Sequence, residues 1–166
     1  MKTIKPKELS AEEFLPYGFY ANLIDAEGDK LGAPPIEFYR DMVQQNQCGD
    51  SSMSFSSLHV EKRDTVIDVL EYHTATSEGI LPLDNDVIIY AAGATAPDGN
   101  IPLNKIEAFR LPKGTMAVLR PGVWHHAPFT VNDKPANILI VLPERAYAND
   151  CEVFELDGDN QIKVEP

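Results

Sequence analysis

Leu70-Glu71-Tyr72-His73-Thr74-Ala75-Thr76-Ser77-Glu78-Gly79 is the stretch on which the fold turns. Side chains alternate along a strand, so Glu71 and His73, two apart, project to the same side. Glu78 comes five residues after His73, a gap in which a tight turn swings the next strand alongside. Three of the four histidines fall in two short segments. The second segment runs from Gly114 to Phe129 and contains Arg120-Pro121-Gly122-Val123-Trp124-His125-His126. There Pro-Gly makes a turn and His125 opens the next strand. Strand alternation sends His125 and His126 to opposite faces, one inward and the other outward or to a dimer contact.

Working outward, strand signals dominate from Ser52 onward. Ser54–Val60, Thr65–His73, Ile80–Pro82 and Val87–Ala92 come first. Ile106–Leu111, Thr115–Arg120, His125–Thr130, Ile138–Val141 and Val153–Leu156 complete the series. Between them stand Asn85-Asp86, Pro97-Asp98-Gly99-Asn100, Pro112-Lys113-Gly114 and Asn132-Asp133-Lys134-Pro135. Each is a turn with a backbone reason, either tolerance of positive φ or a proline-fixed φ. Short strands at near-regular spacing predict an all-β barrel or sandwich. Before them, Ser10 caps a short helix over Ala11–Leu15, with Glu13 at the capping-box offset and Pro16 ending the run. Phe19–Ile24 reads as a short strand, Glu27–Pro35 as a turn-rich connector, and Phe38–Gln47 as irregular or briefly helical.

The 166 residues suit one domain spanning 1–166, large enough for a hydrophobic core without staples. Acidic side chains outnumber basic ones 26 to 14, for a net charge of −12. Such a field repels phosphate backbones and anionic headgroups, which counts against nucleic acid and membrane surfaces as partners. Cys48 and Cys151 lie far apart and form neither a disulfide framework nor a CxxC motif. Met1–Glu13 is polar and unlike a signal peptide. The longest apolar runs, Val87–Ala92 and Ile138–Leu142, fall well short of the ~20 residues a membrane helix needs. The expectation is a soluble, cytoplasmic protein. No Gly-rich phosphate loop, GxSxG elbow or HExxH helix is present.

The spacings resemble the two halves of the cupin signature. Glu71-x-His73-x4-Glu78 matches the first half, with Glu71 where the first histidine stands. Gly114 with Pro121-Gly122-x-x-His125 matches the second, lacking the residue between proline and glycine. The resemblance implies a double-stranded β-helix, or jelly-roll barrel, with a short N-terminal helix. It also implies a divalent metal held by His73, Glu78 and His125, with Glu71 as a fourth ligand or as the proton-transfer group. Two imidazoles with carboxylates suit Mn, Ni, Fe or Zn.

The chain more closely resembles the ureidoglycolate lyase family over roughly Phe14–Leu156. Val123-Trp124-His125-His126 and Asn149-Asp150-Cys151-Glu152 carry the likeness, with Leu70-Glu71-Tyr72-His73 and Ile80-Leu81-Pro82-Leu83. It implies a carbon–nitrogen lyase that splits ureidoglycolate into glyoxylate and urea in allantoin breakdown, and a homodimer. The departures are Leu119 where the family carries histidine, Glu78 where it carries glutamine, and Leu58–Arg63 without the family's arginine. They keep open an isomerase or lyase for another small hydroxy or sugar acid, and a non-catalytic metabolite-binding cupin.

In this reading His125, at the cupin offset from Gly122, is favoured over His126 for the interior. Arg120 is a bidentate fork for a substrate carboxylate or a surface ion-pair partner. Trp124 packs or serves as a substrate platform. His126 is kept with Arg120 and Trp124 as substrate-binding, and Cys151 as a packing or dimer residue.

Overall fold

The computed structural model of the chain describes residues 1–166 apart from Cys48 and Asp50, so the reading of Cys48 lies outside the described residues. In chain order come β1 (Lys2–Ile4), β2 (Lys7–Glu8), α1 (Ala11–Phe14), β3 (Gly18–Asn22), β4 (Lys30–Ala33), β5 (Ile36–Tyr39) and β6 (Met53–Val60). Then follow β7 (Val66–Ile67), β8 (Val69–Tyr72), β9 (Glu78–Pro82), β10 (Val87–Ala91), β11 (Glu107–Leu111) and β12 (Thr115–Leu119). The last elements are β13 (Phe129–Thr130), β14 (Ala136–Pro143), α2 (Ala146–Asn149), β15 (Glu152–Glu155) and β16 (Ile162–Val164). The fold is all-β.

The short N-terminal helix forms as its cap dictates. Ser10 Oγ accepts the Glu13 N–H at 3.3 Å, Glu12 and Glu13 occupy the first turn, and Phe14 is buried.

Two sheets build the barrel. One is ordered β3-β12-β9-β14-β6 and the other β13-β10-β11-β2. The continuous apolar run of β10 makes sense because both of its faces are buried. Val87, Ile89 and Ala91 join Ile80, Phe109, Leu119 and Ile138 in a first core. Ile88, Tyr90 and Ala92 join Ile67, Leu70, Trp124, Phe129 and Ile162 in a second. Each fully buried large apolar side chain contributes about 1.5–3 kcal/mol, so the two-sided β10–β11 layer is the mechanical centre of the fold. Parallel pairing of β1 with β16 ties the two ends of the chain over the second core.

Three local expectations change. Thr65–His73 is not one strand: β7 pairs with β16 and β8 with β15, so the segment changes partners around Asp68. His125–Thr130 shrinks to β13, because Pro128 has no N–H to donate and only His125 and Trp124 make single bridges upstream. The connector and irregular stretch from Glu27 to Tyr39 contain the β4–β5 hairpin, which among the described residues forms a two-stranded sheet of its own.

Candidate metal centre and its cavity

The two histidine segments meet through backbone hydrogen bonds. Glu71 N–H donates to the His125 carbonyl at 2.6 Å, and His125 N–H returns the bond to Glu71 at 2.8 Å. Gly122, at φ +80, turns the chain so that its N–H donates to the His73 carbonyl at 2.7 Å. Glu78 opens β9 on the same face as Ile80, so it stands at the end of the first core.

These constraints converge three side chains. His73 Nε2 lies 2.9 Å and His125 Nε2 3.1 Å from the same Glu78 oxygen, Oε2. All three residues are under 8% exposed. Each imidazole donates its Nδ1–H to a backbone carbonyl, His73 to Asp150 at 2.5 Å and His125 to Val123 at 2.8 Å. Those bonds fix the tautomer that leaves Nε2 free to ligate, the arrangement characteristic of metal-binding histidines. The ligand atoms of His73, Glu78 and His125 lie within 4.8 Å of one another, so the donor set fits a transition-metal ion.

Electrostatics bind the trio as well. Burial disfavours charged imidazoles, yet the Glu78 carboxylate outweighs it and holds His73 and His125 above the ordinary histidine pKa. Burial likewise pushes Glu78 up, but the charges and hydrogen bonds of His125 and His73 win and bring it down to about 2.

Two members of the trio, His73 and Glu78, border a cavity of about 330 Å³ whose wall also includes Glu71 and His126, while His125 stands behind them. Glu71 stays outside the three-residue group; its Oε2 accepts the Cys151 thiol at 3.4 Å. Burial, followed by the charge of Glu71, pushes that thiol up to about 12, so Cys151 is a donor and not a thiolate. His126 reaches the cavity wall even though His125 belongs to the trio. The chain leaves regular strand after His125, so alternation no longer governs His126. Burial holds its pKa below the ordinary value.

Two expected substrate-binding residues lie elsewhere. Arg120 continues the outward-facing series Met116, Val118 of β12, lines a different cavity, stacks on Phe19 at 4.3 Å and donates Nε–H to the Leu15 carbonyl at 3.2 Å. Trp124 is buried in the second core, tilted against Tyr72 at 4.3 Å, with its indole N–H on Thr95 Oγ1 at 3.1 Å.

Sequence reading missed the part of the wall contributed by β6 and the segment after β14. Ser54, Ser56, Arg145 and Tyr147 line the same cavity. It also missed Asp150, whose carboxylate accepts the N–H groups of Thr74 at 2.7 Å and Ala75 at 3.0 Å while its carbonyl orients His73. A signal existed for the serines: Ser54 and Ser56 share alternation with the core residues Leu58 and Val60.

The model of the family described as ureidoglycolate lyase matches residues 1–165. A protein of Agrobacterium fabrum (strain C58) named "Putative ureidoglycolate lyase" is 26% identical over 126 residues, 76% of this chain and 74% of that one. Among solved structures, the dTDP sugar isomerase of Desulfovibrio desulfuricans G20 aligns with a TM-score of 0.52 at 14% identity, over 87% of this chain and 89% of that one. That likeness is one of fold, the all-β cupin fold. The Bacillus subtilis oxalate decarboxylase, a protein with Mn(II) centres, aligns at a TM-score of 0.44 and 17% identity, over 79% of this chain and 35% of that one. The chain spans about a quarter to a third of the oxalate decarboxylase chains it matches.

Proposed function

Because the chain belongs to the ureidoglycolate lyase family, we propose that it cleaves ureidoglycolate to glyoxylate and urea at the His73–Glu78–His125 cavity. The observation that carries the reading is the convergence of two tautomer-fixed imidazoles on one buried carboxylate at the edge of a small-molecule cavity. Nε2 of His73, Nε2 of His125 and the Glu78 carboxylate would hold a divalent ion, Mn, Ni, Fe or Zn. When bound, it supplies Lewis acidity that lowers the pKa of the substrate hydroxyl.

Glu71 is the proton carrier, because it lines the cavity without belonging to the trio. It takes the hydroxyl proton as the carbonyl of glyoxylate forms. The C–N bond breaks with its electron pair on nitrogen, and Glu71 returns the proton there, so urea leaves neutral. The Cys151 S–H on Glu71 Oε2 orients the carboxylate.

Two of the sequence departures, Leu119 and Glu78, stand opposite each other across the β12–β9 ladder. Leu119 packs in the first core, whereas Glu78 is the centre of the trio and lines the cavity. A carboxylate there in place of an amide favours a metal-holding version of the site.

Turnover of ureidoglycolate, with metal content by mass spectrometry on wild type and His73→Ala, tests the proposal. Activity with about one transition-metal ion per chain, both lost in the variant, supports it. A folded, metal-loaded protein inert toward ureidoglycolate overturns the substrate. Activity without metal overturns the metal centre. The reading extends to a cytoplasmic homodimer. The exposed Leu31, Ile36 and Phe38 of the β4–β5 hairpin are apolar surface that a second copy would cover, and sedimentation checks this.

A further inference from the structure

The β6 end of the cavity wall, two strands along the same sheet from Glu78, has a chemistry the proposed reaction has not used. On β6, Ser54 and Ser56 share one face, and their hydroxyls lie 3.4 Å apart along the cavity. Across the ladder they pair with Leu142 and Ile140, which supply apolar neighbours on the same wall. The ladder extends one step further, where Glu144 N–H donates to the Ser52 carbonyl at 2.8 Å. There the chain turns at Arg145, which lines the cavity in the left-handed region at φ +61. A side chain pays a strain for that conformation, and glycine or asparagine would occupy it more readily. The arginine therefore stands at a place where the backbone disfavours it. Its one ionic partner is Glu144 at 3.5 Å among the described residues, and its side chain is 70% exposed, at the mouth of the cavity.

We infer that Ser54, Ser56 and Arg145 form a subsite for a carbamoyl group, the ureido end of the substrate. The inference rests on the reading of the His73–Glu78–His125 end as the hydroxy-acid end. A carboxylate accepts hydrogen bonds only, so a site built for one needs donors alone. A carbamoyl group presents one acceptor oxygen and N–H donors. The serine hydroxyls both donate and accept, and Arg145 donates. That mixture matches a carbamoyl group donor for acceptor. The guanidinium is a fixed cation in a cavity that also carries the carboxylates Glu71 and Glu78, and it meets the carbonyl oxygen on which charge builds as the C–N bond breaks.

Binding of two non-cleavable probes tests it without turnover. Glycolate carries the hydroxy-acid end alone, and N-carbamoylglycine adds the carbamoyl group to a carboxylate. Calorimetry is run with metal-loaded wild type, Arg145→Asn and Ser56→Ala. Asparagine tolerates the left-handed backbone, so Arg145→Asn keeps the fold. Wild type binds N-carbamoylglycine roughly tenfold or more tighter than glycolate, and both variants lose most of that preference while glycolate binding is kept. Loss of glycolate binding in Arg145→Asn overturns the subsite and makes Arg145 a carboxylate anchor. Equal affinity of wild type for both probes also overturns it. A preserved preference in a protein that does not turn over ureidoglycolate sinks the lyase reading and leaves the subsite standing.

Discussion

Two cavities flank the five-stranded sheet, and they differ in kind. The larger, about 520 Å³, lies on its outer side against Phe19, Val118 and Arg120. The smaller, about 330 Å³, lies at the end of the first core against Glu71, His73 and Glu78. The larger has an arginine held by an aromatic ring and a backbone carbonyl. The smaller has buried ionisable groups aimed at one another, with tautomers fixed from behind. Burial makes those charges strong and costly, and each is retained because its neighbour compensates it. Size does not locate the chemistry; convergence of compensated charge does.

Glu78→Gln tests that contrast most severely. Removing the shared carboxylate abolishes metal retention and lowers turnover by roughly a thousandfold or more, read by metal analysis and kcat. It also alters stability in the metal-stripped protein. Glu78 is depressed from 4.5 to about 2, so its contribution is complete above its unfolded pKa and disappears as pH falls toward 2. His73 and His125 are raised from 6.5, so theirs is complete below 6.5 and disappears as pH rises through the raised values. Thermal unfolding of the stripped wild type therefore shows a stability maximum between about pH 4.5 and 6.5, flattened in Glu78→Gln. An unchanged profile breaks the coupling.

Glu71→Gln has the next largest effect. Metal content holds, and kcat falls by about a hundredfold to ten-thousandfold, the contribution of a positioned proton carrier. Loss of metal instead makes Glu71 a ligand. Asp150→Ala acts through His73: it frees the Thr74–Ala75 turn, and metal affinity drops about ten- to a hundredfold, measured by chelator competition. Arg120→Gln is the control from the other cavity. Turnover and metal content stay within about twofold, since the side chain is held by Phe19 and the Leu15 carbonyl at the other cavity. A large loss of activity there would erase the distinction between the two cavities.

The strands β6, β10 and β12, the turn residues between them and the Ser10 cap were legible because they depend on local composition and backbone preference. Gly122 was legible as a turn for the same reason, and it delivers His125 to Glu71. Less visible was the β4–β5 hairpin, which lacks strong alternation and, among the described residues, forms a two-stranded sheet of its own.

What the sequence determined alone is the set of ingredients: an all-β chain, two histidine segments, and Glu78 at the spacing that returns it to His73. Period-two geometry is relative, however, and says which residues share a face without saying what that face meets. Only the packing of β12 turned Arg120 outward while the Pro121-Gly122 turn sent His125 inward. Arg145 and Asp150 joined the site from more than seventy residues beyond His73, a proximity created by the folded sheets and absent from any local signal.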